Sequence, residues 1–134
     1  RAESAAAPST SDRAPGAGRL RAATVAWAAL LGELHAVGFR PYLELEHGGR
    51  DDPLRLFCEL DGGLLLDVSL GDEEIPDTPP AINDTDWVAF VQANDGYLAE
   101  VMIEPSIEFE ALAVKLRDLV DAVAAGERPF LDSW

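Results

Sequence analysis

Residues 54–70 constrain the fold more than any other stretch. Leu54, Leu56, Cys58 and Leu60 alternate with Arg55, Phe57 and Glu59. After Asp61-Gly62-Gly63, Leu64, Leu66, Val68 and Leu70 alternate with Leu65, Asp67 and Ser69. Period-two alternation means strands with one apolar face. That face decides the register. A two-residue loop at 61–62 would set Leu60 against Gly63 and Leu56 against Asp67. A three-residue loop sets Leu60 against Leu64, Cys58 against Leu66, Leu56 against Val68 and Leu54 against Leu70. Only the second keeps the apolar residues together, because a slip of one residue turns every side chain over. The expected turn is type I closed by a G1 bulge, with Gly63 in the left-handed position.

A one-faced hairpin needs something to cover it, and the flanking sequence supplies helices. Trp27, Leu30, Leu31 and Leu34 form a single stripe, which predicts a helix from Ala22 to Val37. Gly38 follows as the expected left-handed cap, and His35 lies in the last turn, where a cation suits the dipole. Phe109, Leu112, Leu116, Leu119, Val120 and Val123 predict a second helix over Ile107–Ala125, with Ser106 as N-cap and Gly126 and Pro129 as stops. Tyr42–His47 reads as a further strand, with Leu43, Leu45 and His47 on one face. Trp87–Gln92 and Tyr97–Glu104 read as another hairpin, around Asn94-Asp95-Gly96. Its register stays open. A three-residue loop aligns Trp87, Ala89 and Val91 with Ile103, Val101 and Ala99, whereas a two-residue loop aligns Val88 and Phe90 with Ile103 and Val101. The expected fold class is α+β, a mostly antiparallel sheet of about five strands with an N-terminal and a C-terminal helix packed against it.

Residues 1–19 have a different character. Thirteen of them are Ala, Pro, Ser or Gly and none is a large hydrophobe, so the expectation is a flexible arm followed by a single α+β domain over 20–134. The arm has no apolar core of the kind a signal peptide carries. The chain does not begin with Met, which is expected of a fragment or a processed product.

Charge excludes several functions. Ten Lys and Arg face 25 Asp and Glu in the 134-residue chain, a net charge of −15. The arm is slightly basic, so the acidity belongs to the folded part. Such a surface repels phosphate, which argues against direct nucleic-acid contact and against anionic membranes. It attracts a basic partner. A single cysteine, Cys58, leaves no intrachain disulfide and fits a reducing compartment.

Catalytic chemistry finds no purchase. His35 and His47 read as structural or surface residues, and Cys58 reads as a small core hydrophobe. Ser69 stands in Val-Ser-Leu-Gly, which is no hydrolase elbow. His47 with Asp51 and Asp52, or Asp84 with Asp86, falls short of a calcium loop. No enzyme activity, no cofactor and no metal are expected. The acidic loop 71–86 holds six acids and no base, stiffened by Pro76, Pro79 and Pro80, and Trp87 stands at its exit. Proline limits the entropy lost when a loop is held against a partner. Tryptophan is a favoured interface anchor but serves equally well in a core. Phe57 and Leu65 form either an apolar spot on the outer face of the first hairpin or a surface for another helix.

Two runs resemble a known family. FEALAVKLRDLVDAVAAGERPFLDSW is an amphipathic helix, a Gly-Glu-Arg-Pro turn and a short extended end closing on Trp134. It resembles the C-terminus of the first-numbered immunity-protein family of bacterial polymorphic toxin systems, which includes proteins that neutralise deaminase toxins. PYLELEHGGRDDPLRLFCELDGGLLLDVSLGDE resembles that family's strand–loop–strand–turn–strand segment. The likeness covers about residues 23–134 and is sharpest at Gly126, Arg128, Pro129 and Trp134. The proline-rich loop 71–86 departs from the glycine-containing segment of the family. The resemblance implies a cytoplasmic inhibitor, monomeric when free, that binds a basic toxin catalytic domain one-to-one and blocks its substrate. A deaminase is the first expectation for that toxin and a nuclease the second. The matching residues look structural and transfer no contact positions. The contacts expected from charge are Asp72, Glu73, Glu74, Asp77, Asp84 and Asp86, with Trp87 as anchor. The alternative is a secretion-chaperone-like acidic α+β protein that binds a client segment, usually as a dimer.

Overall fold

The computed structural model describes residues 15–72 and 74–134. Helix α1 (Ala17–Ala26) and helix α2 (Ala28–Ala36) stand where one helix was expected. The break at Trp27 is slight. Trp27 N–H donates to Ala23 O at 2.9 Å and Leu31 N–H donates to Trp27 O at 3.0 Å, so the hydrogen-bond ladder runs through. Gly38 ends α2 with φ at +91°, its N–H donating to His35 O and the Phe39 N–H to Leu34 O. That is the double closure of a Schellman motif.

The helix begins inside the segment expected to be flexible. Gly16 is buried, its N–H donates to Gly48 O, and Arg19 pairs with Asp77. Residues 16–19 are thus packed on the domain, because Gly16 and Arg19 are tied to two distant loops, while residues 1–14 of the expected arm lie outside the described residues. A Cβ at Gly16 would fall on Leu45 Cδ1 and come within 2.9 Å of Gly48 O. Gly16→Ala is expected to cost about 1–3 kcal/mol, as overpacking does. A urea titration against wild type measures it.

Six strands follow in the order β1-β2-β3-β4-β5-β6: β1 (Arg40–Leu45), β2 (Leu54–Glu59), β3 (Leu65–Leu70), β4 (Trp87–Ala93), β5 (Gly96–Ile103) and β6 (Phe130–Ser133). The first five form an antiparallel meander. The β2–β3 pairing sets Cys58 against Leu66 and Leu56 against Val68, as the apolar face demanded. Its turn is a single 3₁₀ turn in which Gly62 as well as Gly63 takes φ near +76°. The β4–β5 hairpin takes the first of the two registers, and the alignment of Val88 and Phe90 with Ile103 and Val101 does not occur. Trp87, Ala89 and Val91 face Ile103, Val101 and Ala99. A bulge at Val91/Gln92 then shifts the pairing so that Ala93 meets Gly96 across a two-residue turn.

Helix α3 (Phe109–Ala124) begins two residues later than expected, with Glu108 rather than Ser106 at its N-cap. It carries the chain back across the sheet, and Gly126 closes it with the same paired bonds seen at Gly38. The chain then lies parallel to β5 as β6. This sixth strand raises the count above five; the sequence showed only a short extended end because Phe130–Ser133 is exposed throughout and lacks alternation.

The three described helices sit on one face of the sheet. Leu43, Leu56, Cys58, Leu66, Val68, Ala89, Val91, Ala99 and Val101 share a single core with Leu30 and Leu34 of α2 and Leu112, Leu116 and Leu119 of α3. Phe57, Asp67 and Ser69 point the other way and belong to no part of it.

Candidate partner-binding face

The strands' alternate positions build the open face. Pairing places Tyr42 beside Phe57, Phe57 beside Asp67, Asp67 beside Phe90 and Phe90 beside Glu100. One row of side chains thus crosses five strands. Aromatic rings pack along it: Tyr42 and Phe57 lie 5.7 Å apart, and Phe90 and Tyr97 lie 5.4 Å apart. This settles the choice left open for Phe57 and Leu65. No described helix covers them.

Arg55 is the hub of this face. Its Nη2 donates to Asp67 Oδ2 at 2.7 Å, and its Nη1 lies 3.6 Å from Glu46 Oε1. Its guanidinium carbon is 5.3 Å from the centre of the Phe57 ring. Asp67 is only 2% exposed, so the pair is a desolvated one with a carboxylate at its base. Ser69 lies next along the strand on the same face, 1% exposed, opposite Val88.

A cleft of about 580 Å³ opens above this hub. Val88, Phe90 and Pro53 give it apolar walls, and Glu46, Asp72, Glu74 and Glu100 supply four carboxylates. Among the described residues Arg55 is the only base lining it, and its charge is already engaged by Asp67. The remaining field is negative. An apolar channel rimmed by carboxylates suits a lysine or arginine side chain, whose stem is aliphatic and whose head is charged.

The acids expected to contact a partner do not form one site. Asp72 and Glu74 line the cleft. Glu73 lies outside the described residues. Asp77 is turned toward α1, where Arg19 donates to it at 2.8 and 2.9 Å. Those hydrogen bonds hold its carboxyl below the usual carboxylate range. The stability this contributes is present above the unfolded value and is lost as pH falls through the lowered folded value. Half of the Asp77 side chain is exposed, so the contribution is small. Asp84 and Asp86 are exposed elsewhere, and Asp86 borders a separate hollow beside Lys115 and Trp134.

Trp87 requires a correction. It is 2% exposed, not a surface anchor. It faces the helices because it opens β4 in register with Leu70 and Ile103, and its ring meets Trp27 and Phe109 nearly edge-on at 6.1 and 6.5 Å. The loop before it is strapped down by Ile75, which is buried, and by the Pro76 carbonyl, which accepts the Trp27 Nε1–H at 2.8 Å.

Sequence reasoning missed Glu46, Arg55, Phe90 and Glu100 as a group. The signal was present in the outward positions of strands read only for their inward ones. Cys58 sits where its alternation with leucines put it, fully buried, and burial pushes its thiol up to about 12. It is expected to resist a thiol reagent at pH 8 in the native state and to react fully in denaturant, because the thiolate is the nucleophile. A colorimetric thiol assay distinguishes the two states. Asp52 closes the 47–52 loop by accepting the His47 and Gly49 N–H groups. Among the described residues no three His, Cys, Asp or Glu converge on a metal-sized site, and no helix is long and apolar enough to cross a membrane.

Comparison of the chain with family models, with curated proteins and with solved structures gave no match.

Proposed function

We propose that the open sheet face binds a cationic protein, and that the protein acts as an immunity factor: it seats itself on a basic, nucleic-acid-modifying toxin domain and excludes that enzyme's substrate. The carboxylate-rimmed cleft over Arg55 is the observation that carries this reading. An enzyme that handles DNA or RNA presents positive charge around its cleft, and a chain at −15 complements it. The resemblance of the C-terminal helix, Gly126, Arg128, Pro129 and Trp134 to the immunity family supplies the class of partner. Such a protein works in the cytoplasm, where its toxin's substrate lies.

If the gene beside this protein's own encodes a secreted toxin, the catalytic domain of that toxin is the test partner. Co-expression should rescue cells from that domain, and the purified pair should run as a one-to-one complex. The association rate should fall about tenfold or more between 0.05 and 0.5 M salt, because screening shortens the reach of surface charge. The dissociation rate should change less. Absence of rescue, or an association rate indifferent to salt, overturns the proposal.

A further inference from the structure

Strand β6 does not pair evenly with β5. Glu100 pairs with Phe130, but Val101 pairs with Asp132 and Met102 with Ser133. Leu131 is therefore an extra residue, the inserted member of a bulge. Its φ is +57°, and among the described residues it is the one non-glycine with a positive φ. L-residues with a branched apolar side chain rarely take that conformation. Both ends of the strand hold it there: Glu100 N–H donates to Pro129 O at 2.9 Å, and Trp134 N–H donates to Met102 O at 2.8 Å.

The bulge decides which side chain goes where. An unbroken register would set Leu131 beside Val101, on the face that carries the core, and Asp132 beside Met102. The bulge gives those places to Asp132 and Ser133 and leaves Leu131 in solvent, 67% exposed. Phe130 keeps its place beside Glu100 on the open face and is 46% exposed, and Met102 is 36% exposed. Strain that carries a leucine out of register and into water does not serve stability. Such strain gathers at functional sites.

This apolar spot is joined to the cleft. Phe90 and Phe130 flank Glu100 from β4 and β6, and Phe90 and Glu100 line the cleft. On the other side Met102 and Ser133 border the hollow that holds Asp86, Glu104 and Lys115. The two bases nearby are engaged with backbone: Lys115 Nζ donates to Trp134 O, and Arg128 Nη1 donates to Val123 O and Glu127 O. Carboxylates therefore border the spot on both sides. A second copy would bring like charges together, at −15 for each chain. A bulge at a sheet edge also hinders a foreign strand from pairing, so the side chains are what the edge offers.

We infer that Phe130, Leu131 and Met102 form an apolar anchor point of the binding face, which receives an apolar side chain flanked by lysine or arginine on the cationic protein partner. The inference rests on reading the open face as a binder of cationic proteins. It names the contact that holds the partner once charge has brought it in.

The probes are the peptides acetyl-Lys-Leu-Lys-Phe-Lys-amide and acetyl-Lys-Ser-Lys-Ser-Lys-amide, equal in charge, titrated into ¹⁵N-labelled protein. The Leu/Phe peptide should bind about tenfold more tightly, the order that burying an apolar side chain supplies. It should also shift the amides of Phe130, Leu131 and Asp132 in a saturable way. Leu131→Gly should remove most of the preference and leave the urea midpoint no lower than that of wild type, because glycine accepts that φ freely. If both peptides bind equally and shift only amides near Asp72 and Glu74, the cleft takes the cation without the edge; the inference then falls and the proposed function stands. If the preference survives Leu131→Gly, the apolar contact lies elsewhere and the inference falls. If sedimentation shows a dimer that Leu131→Gly dissolves, the edge meets a second copy and the inference falls. If neither peptide binds, the inference falls, and rescue by co-expression judges the proposed function separately.

Discussion

Asp67→Ala is expected to lower the stability of the domain by about 3 kcal/mol, the cost of taking the nearest counter-charge from a largely buried guanidinium that still has Glu46 at 3.6 Å. Asp67 is 2% exposed and receives the Arg55 guanidinium at 2.7 Å. Small domains are commonly stable by only about 5–15 kcal/mol, so the urea midpoint should move far to the left. The partner change separates charge from packing. Arg55→Met with Asp67→Leu keeps the volume and removes both ions, and should recover most of the loss. A double variant as unstable as Asp67→Ala alone would mean that the pair holds the strands by shape and not by charge compensation.

The second large effect concerns association. Asp72→Lys, Glu74→Lys and Glu100→Lys together turn three of the cleft's carboxylates into ammonium groups. Net charge rises from −15 to −9, since each change adds two. The association rate with a basic toxin domain should drop about 10- to 100-fold at low salt, within the range electrostatic steering supplies. A matched variant, Asp84→Lys, Asp95→Lys and Asp118→Lys, alters the same number of exposed acids away from the cleft. It should lose much less. Equal losses in the two variants would show that total charge governs encounter and that the cleft has no special part. Stopped-flow measurements at two salt concentrations, with circular dichroism to confirm folding, decide between them.

Much of the architecture was legible because burial on one face leaves a period. The Leu54–Leu70 alternation set both the strands and their register, since only one pairing kept Cys58 beside Leu66. The two glycine caps, Gly38 and Gly126, were legible because L-residues avoid the conformation those positions need. The second hairpin resisted because Trp87–Ile103 is apolar on both faces, so pattern could not choose; a bulge then satisfied the core and the tight turn together. Strand β6 was hidden because it is held by backbone bonds to β5, such as Trp134 N–H to Met102 O, and by little side-chain burial. The site was harder than the fold. Acids gathered in sequence at 71–86 were scattered in space, with Asp77 drawn off by Arg19 and Asp86 by a different hollow. Glu46 and Glu100, far apart in the chain, came together instead. Linear clustering reports where charge is synthesised, and pairing of strands reports where it ends up.

Packing on one side of the sheet only has a consequence for how such a protein diversifies. Along each central strand, every second residue is fixed by the helices and every other one is not. Positions such as Leu65, Val88, Phe90, Gln92 and Glu100 can therefore be rewritten by single-codon changes without disturbing Leu66, Ala89 or Val91 beside them. The scaffold and its vocabulary are interleaved in one polypeptide yet mutate almost independently. The outward positions can change many times over while the same interior is inherited.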